Sequence, residues 1–310
     1  MGEHTAPAFD FKANYLDFLH HKPTTFIPNS FVGNKIMGFG AINGPAIEKG
    51  NQFGDCMDGF GNKWEYPSTG GGAAVPDCNV TLMDDVTEWR EKVHIPDPSQ
   101  FDWKAAYEME CNMIGAPDRE HEVVDFGFGN GVFERLAALM GFEDALVNFL
   151  LEPEDMMDLC NAIGEYRYQY MKLIVDNIKP DVMLSHDDWG SKHALFVSPD
   201  TWREFIKPQY VKTYGYMKER GIIIMHHADS FMEPIVEDMV ELGIDIWQGA
   251  LPENDIPKLQ KQLAGRMTLM GGLDASVVDR ADSTEEEIRK EVRRACQTYG
   301  PGGHFIPCIT

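Results

Sequence analysis

The chemistry-bearing residues of this 310-residue chain collect where short apolar runs end. The run at 181–186 ends in Ser185 and His186 and leads into Asp187, Asp188 and Trp189; the run at 221–227 ends in His226 and His227, with Asp229 and Ser230 just beyond. The run at 267–272 leads to Asp274, and the run at 303–308 ends in Cys308. Imidazole, carboxylate and thiol groups ligate metal ions, and the first two also serve as general acids and bases. Side chains alternate along a strand, so His226 and His227 face opposite ways while His227 and Asp229 share a face. A His-x-Asp pair of this kind can bind one ion. His186, Asp187 and Asp188 are candidate catalytic groups. Each residue also has a plainer reading: Asp229 or Ser230 as the cap of a helix starting near Met232, His226 as a core histidine, Asp187–Asp188 as a turn, Cys308 as a buried thiol. Aromatic residues near the same strand ends, Phe31, Phe126, Phe128 and Trp189, together with Trp64 from a long loop, would make an apolar slot for a flat ring. Asp274 is counted with them as a substrate contact. The glycines of GFGNG at 127–131 match neither GxGxxG nor GxxxxGK[ST], and no phosphate loop is assigned there.

Groups at strand ends need a sheet to hold them. Apolar or β-branched runs near 25–31, 122–128, 181–186, 221–227, 244–249, 267–272 and 303–308 read as strands, and helical patterns fall between them. Residues 154–178 form one long helical pattern, Pro199 to Arg220 another, and Glu233 to Leu242 a third with Pro234 in its first turn. Ser283 precedes TEEEIRKEVRRAC, whose early acids and late bases suit the helix dipole. Such alternation predicts an α/β fold, an irregular TIM-like (β/α)8 barrel formed by a single domain over 1–310, with its reactive groups at the carboxyl ends of the strands. Seven runs are counted and the chain stops two residues beyond Cys308, so the expectation is an irregular barrel or one lacking a C-terminal piece. The glycine-rich segment 40–98 is expected to be a long irregular excursion near the barrel mouth.

Composition narrows the partners. Fifty acidic against 27 basic residues give a net charge of −23, which opposes nucleic acid, anionic membrane and polyanionic substrates and leaves a small ligand or a basic protein patch as the better fit. No run of about 18 apolar residues occurs, and the opening MGEHTAPAFD lacks a secretory pattern, so a cytoplasmic protein is expected. Six cysteines without CxxC spacing indicate neither a disulfide framework nor a zinc ribbon.

The string DDWGSKHALFVSPDTWREFIKPQYVKTYGYMKERG, followed by HHADSFMEPIVEDMVELGID, GGLDAS and GPGGHFIPC, resembles the uroporphyrinogen decarboxylase superfamily, and within it the corrinoid-dependent methyltransferase branch. LHHKPTTFIP at 19–28, DGFGNKW at 58–64 and VFERLAALMGFEDAL at 132–146 look like further family segments. The resemblance implies an irregular barrel and, in that branch, a zinc ion held by a His-x-Cys pair and a later Cys. Here His227 falls on that His, Asp229 on the first Cys, and Cys308 near the second. The decarboxylases carry arginines beside the first strand, where this chain has Thr24, Thr25, Phe26, Ile27 and Pro28. Carboxylate in place of thiolate favours polarising an oxygen, which implies cleavage of a methyl ether; the aromatic residues near the strand ends then predict methoxylated aromatics in preference to methanol or methylamines. The methyl acceptor would be a corrinoid carried by a separate protein. Two other readings are a metal-independent decarboxylase, with Arg135 its main cationic candidate, and a non-catalytic binder of a methylated small molecule.

Overall fold

The computed structural model describes residues 9–29, 31–38, 56–65, 75–77 and 80–309. Seven strands, β1 (Asn34–Met37), β2 (Val123–Phe128), β3 (Val182–His186), β4 (Ile223–His227), β5 (Ile246–Ala250), β6 (Thr268–Gly272) and β7 (Phe305–Cys308), pair side by side in chain order. Every pairing is parallel. Every residue of β2 and β6 is buried, as expected of parallel strands covered on both faces.

The inner face of the sheet places Val123, Val182, Met225, Ile246, Met270 and Ile306, one residue from each of β2 to β7, in a single apolar cluster. Side chains from six successive strands meet only if the sheet curls around them. Tyr15 of helix α1 (Phe11–Leu19) joins this cluster, with Phe18 and Leu19 packed beside it. Alternate strand residues, among them Phe126, Phe128, Met183, Ile224, Trp247 and Phe305, face outward into the main core. The helical layer completes that core with α2 (Trp103–Ile114), α3 (Val132–Met140), α4 (Phe142–Leu151), α5 (Pro153–Ile178), α6 (Lys207–Glu219), α7 (Val236–Glu241), α8 (Ile256–Leu263) and α9 (Glu285–Tyr299). The longest, α5, begins with Pro153 and the acids Glu154 and Asp155, and it ends at Lys179, which takes a left-handed conformation before Pro180. No helix among the described residues is long and apolar enough to cross a membrane.

Several expectations are corrected. The sheet is open and seven-stranded rather than a closed (β/α)8 barrel: β1 and β7 are its two edges, and among the described residues no strand joins them. The run at 25–31 is not a strand, and the first strand lies later, at Asn34–Met37. The reason is local. Asn14 of α1 accepts from the Thr25 amide (3.0 Å) and donates to the Phe26 carbonyl (3.0 Å), taking the place of a neighbouring strand, while Asn29 turns the chain by accepting from Phe31 N and Val32 N (both 2.9 Å). Phe31 consequently stands 77% exposed. The helix expected from Pro199 to Arg220 contains a π-helical stretch at Trp202–Ile206, and α9 is capped by Thr284, paired reciprocally with Glu287. Within 40–98, the described part is more regular than expected. Three short antiparallel strands, Cys56–Met57, Lys63–Glu65 and Val75–Pro76, form a small sheet, and helical turns follow at Val86–Glu88 and Trp89–Lys92.

Candidate metal centre and its cavity

Strands β3 and β4 are neighbours in a register that sets His186 opposite His227. Their rings stack at 4.3 Å between centroids with planes 20° apart. As the chain leaves β3 it carries Asp188 to the same place, and one donor atom from each of His186, Asp188 and His227 lies within 4.8 Å of the others. Each has a second partner that fixes it. His186 Nδ1 donates to Glu134 Oε1 (2.8 Å), His227 Nδ1 donates to Gln248 Oε1 on β5, and Asp188 Oδ1 accepts from the Asp229 amide (3.0 Å). Both imidazoles thus engage Nδ1 and leave Nε2 for a ligand, the arrangement in which outer partners orient metal-binding histidines. Two imidazole nitrogens and one carboxylate oxygen are the donor set of a catalytic zinc site with an open position. The residues present therefore fit such an ion.

The charges are arranged around this cluster. Burial disfavours a charged His186 ring, yet the Glu134 carboxylate outweighs it and lifts the pKa to about 9, so an ion binding at Nε2 would displace the proton held there; Glu134, despite its own burial, is held down at about 2 by the same contact. His227 is lowered to about 4 by burial and by the positive His186, so its ring is neutral and a ready ligand. Asp188 is raised to about 7, chiefly by burial and then by Glu134.

Glu134 reaches His186 because helix α3 is anchored at its first turn. Asp187 Oδ1 accepts from the Glu134 amide (3.0 Å), and its Oδ2 accepts from the Phe133 amide (3.2 Å), Trp189 Nε1 (2.7 Å) and the Tyr210 hydroxyl (2.6 Å). A carboxylate from the neighbouring strand end thus satisfies helix amides that have no partner within the helix. Glycine at 131 leaves the room: a Cβ there would lie 1.9 Å from the Asp187 side chain.

Beside the cluster opens a cavity of about 560 Å³, lined by His186, Asp188 and Glu134 and by the rings of Trp64, Phe133, Phe142 and Phe196. The DGFGNKW segment is pinned to its wall. Asp58 accepts from Arg135 Nη1 (2.5 Å), Trp64 Nε1 (2.9 Å) and the Phe60 and Asn62 amides (3.0 and 2.9 Å), while the Arg135 guanidinium lies 4.1 Å over the Phe60 ring. Arg135, the cationic candidate, is thus a buried partner of Asp58.

The anticipated residues divide as follows. His186, Asp188 and His227 come together, and Trp64 lines the cavity. Asp229 contributes its amide to the cluster, and Asp229 and Cys308 lie outside the three-donor group. Asp187 is wholly buried as the anchor of α3, and Asp274 caps the short helix Ala275–Val278, accepting from Ser276 N (3.0 Å). Phe126, Phe128 and Trp189 are buried in the outer core, where Trp189 stacks on His226 at 4.0 Å between centroids. Sequence reasoning missed Glu134, Gln248, Phe133, Phe142 and Phe196. Two of them carried a signal: Glu134 sits in the first helical turn after β2, and Gln248 is an inward-facing polar residue at a strand end, level with His227.

The profile of the uroporphyrinogen decarboxylase (URO-D) family matches residues 58–307. Among solved structures, the chain is similar to a methyltransferase from Methanosarcina mazei with a TM-score of 0.62 at 14% identity, over 97% of this chain and 93% of that one. At that identity the likeness speaks to the fold. A search of curated proteins finds no match.

Proposed function

The chain belongs to the uroporphyrinogen decarboxylase (URO-D) family, and from that premise we propose that it is a zinc-dependent methyltransferase. It moves a methyl group from a methoxylated aromatic compound to the cobalt of a corrinoid on a separate protein. The observation that carries this reading is the His186–Asp188–His227 cluster facing a cavity walled by aromatic rings. The similarity in fold to the M. mazei methyltransferase supports it. A decarboxylase of multiply anionic substrates needs cations in its pocket. Among the described residues lining this cavity there is neither lysine nor arginine.

His186, Asp188 and His227 would hold the ion, which when bound would supply Lewis acidity to an ether oxygen and so make the aryloxide a better leaving group. Gln248 and Glu134 keep the two imidazoles turned toward that point. Trp64, Phe133, Phe142 and Phe196 hold the arene and exclude water. The carbon–oxygen bond would break as the reduced cobalt of the partner's corrinoid supplies the electron pair of the new cobalt–carbon bond and is oxidised by two electrons; the pair of the broken bond stays on the aryloxide, and a proton from water completes the phenol. Asp229 and Cys308, near the ends of β4 and β7, are the candidates for a further ligand.

The test is metal content and demethylation measured together, with reduced corrinoid protein as acceptor. Zinc near one per chain is expected, with His227→Ala and Asp188→Asn losing both the metal and methyl transfer by about 100-fold or more. Asp229→Asn shares that loss only if its carboxylate is a ligand. Aryl methyl ethers should be turned over in preference to methanol or methylamines. Metal-free protein with full activity, or turnover of methylamines and of no aryl ether, would reject the proposal.

A further inference from the structure

Two of the three donors have a ring as their immediate chain neighbour, and the two rings meet. Trp189 follows Asp188, His226 precedes His227, and the indole stacks on the His226 imidazole at 4.0 Å between centroids with planes 26° apart. Strand register brings this about. Ser185 is opposite His226 as His186 is opposite His227, so along β4 one imidazole turns into the cluster and its neighbour turns outward behind it. Consecutive Cα atoms are only about 3.8 Å apart. The gap between the two stacked rings therefore constrains, from behind, the gap between the Asp188 carboxylate and the His227 ring.

Each ring of the stack is itself held. Trp189 Nε1 donates to Asp187 Oδ2 (2.7 Å), and the Tyr214 hydroxyl donates to His226 Nδ1 (2.7 Å). Trp202 meets the indole edge-on at 4.8 Å between centroids, and Tyr210 does so at 5.3 Å. Trp202 opens the π-helical stretch, and Tyr210 and Tyr214 follow it on α6. That stretch, an irregularity frequent at functional sites, thus leads three rings to one place. The loops beyond the stack are joined as well: Ser230 Oγ donates to the Gly190 carbonyl (2.7 Å), beside the bond from the Asp229 amide to Asp188. Flat rings in contact keep a defined separation, whereas aliphatic side chains in the same volume repack and lose uniqueness before stability. We infer that Trp189 and His226 are positioning residues whose stack sets the separation of Asp188 from His227 and thereby the affinity for the ion. This rests on the reading of the cluster as a metal centre.

Trp189→Leu and His226→Leu keep the place apolar and remove a ring face, while His226→Phe keeps a ring and drops the bond to Tyr214. Ile178→Ala is the control for lost stability alone, since Ile178 is wholly buried at the end of α5 that leads into β3, at the opposite end of the sheet from the cluster. Competitive chelator titration reads zinc affinity, the absorption of the Co2+-loaded protein reads ligand geometry, and crystal structures of the metal-free proteins read the donor separation. Both leucine variants should bind zinc about tenfold or more weakly, shift the Co2+ bands and widen the gap between Asp188 and His227, with His226→Phe within about threefold of the parent. Ile178→Ala should melt at a lower temperature and bind zinc as the parent does. Parent-like affinity in the leucine variants, equal weakening in Ile178→Ala, or a leucine-like loss in His226→Phe would overturn the inference. A parent that takes up no zinc removes the metal-centre reading, and the metal-free structures then decide the positioning role: a widened gap in the leucine variants upholds it, and an unchanged gap rejects it.

Discussion

Asp125 shows how one residue can set the pH response of the fold. Its place on β2, two residues after Val123 and between the outward-facing Val124 and Phe126, turns it into the curled sheet. There it is 6% exposed, and its Oδ1 has no hydrogen-bond partner among the described residues. Burial raises its pKa from 3.8 to about 7. The folded protein therefore keeps this proton up to about pH 7, whereas the unfolded chain releases it near 4. Stability should fall as pH rises between those values and level off above them. Asp125→Asn should be level with the parent at pH 4 and more stable at pH 8, by up to about 4 kcal/mol. Urea midpoints across that range measure it, and parallel profiles for the two proteins would contradict it.

Among the elements, helix α3 carries most of what the site needs. It presents Glu134 to His186, Phe133 to the cavity and Arg135 to Asp58, and its first turn is held by Asp187 from the end of β3. The close approach at residue 131 makes this joint sensitive. Gly131→Ala must push the start of α3 away from Asp187, a destabilisation of about 1–3 kcal/mol by the usual cost of overpacking. Since Glu134 moves with the helix, zinc affinity should weaken as well. Thermal melts and competitive chelator titrations on the variant read the two effects separately. Parent-like values in both would mean that Asp187 and α3 do not act as one unit.

At the scale of the whole molecule, the donor cluster ties β3 to β4, and through Gln248 and Glu134 it reaches β5 and α3. These elements are distant in sequence and adjacent only in the folded sheet. An ion bound there stabilises the native state over the unfolded one, by about 2.7 kcal/mol when free metal exceeds its dissociation constant a hundredfold. Zinc should raise the melting temperature by several degrees and a chelator should reverse it, while His227→Ala should show neither shift. A parent protein with zinc-independent melting would count against the site.

The sequence by itself determined the alternation of strands and helices, six of the seven main-sheet strands, and the strand ends at which the reactive groups stand. These follow from local patterns: apolar runs, periodic helices and the polar residues that terminate a strand. It also marked His227, His186 and Asp188 as chemistry-bearing. Tertiary structure alone decided that Asp188, rather than Asp229, closes on the two histidines, because strand register and the turn after β3 set that distance. It decided that the segment reading as a first strand is held instead by the Asn14 side chain, and that the seven-stranded sheet ends at β1 and β7 without closing. It decided as well that the cavity is walled by Phe133, Phe142 and Phe196, whereas Phe126 and Phe128 turn into the outer core. An aromatic residue looks the same in a sequence on either face of a sheet, and only the packing of helix against strand tells a pocket wall from a core.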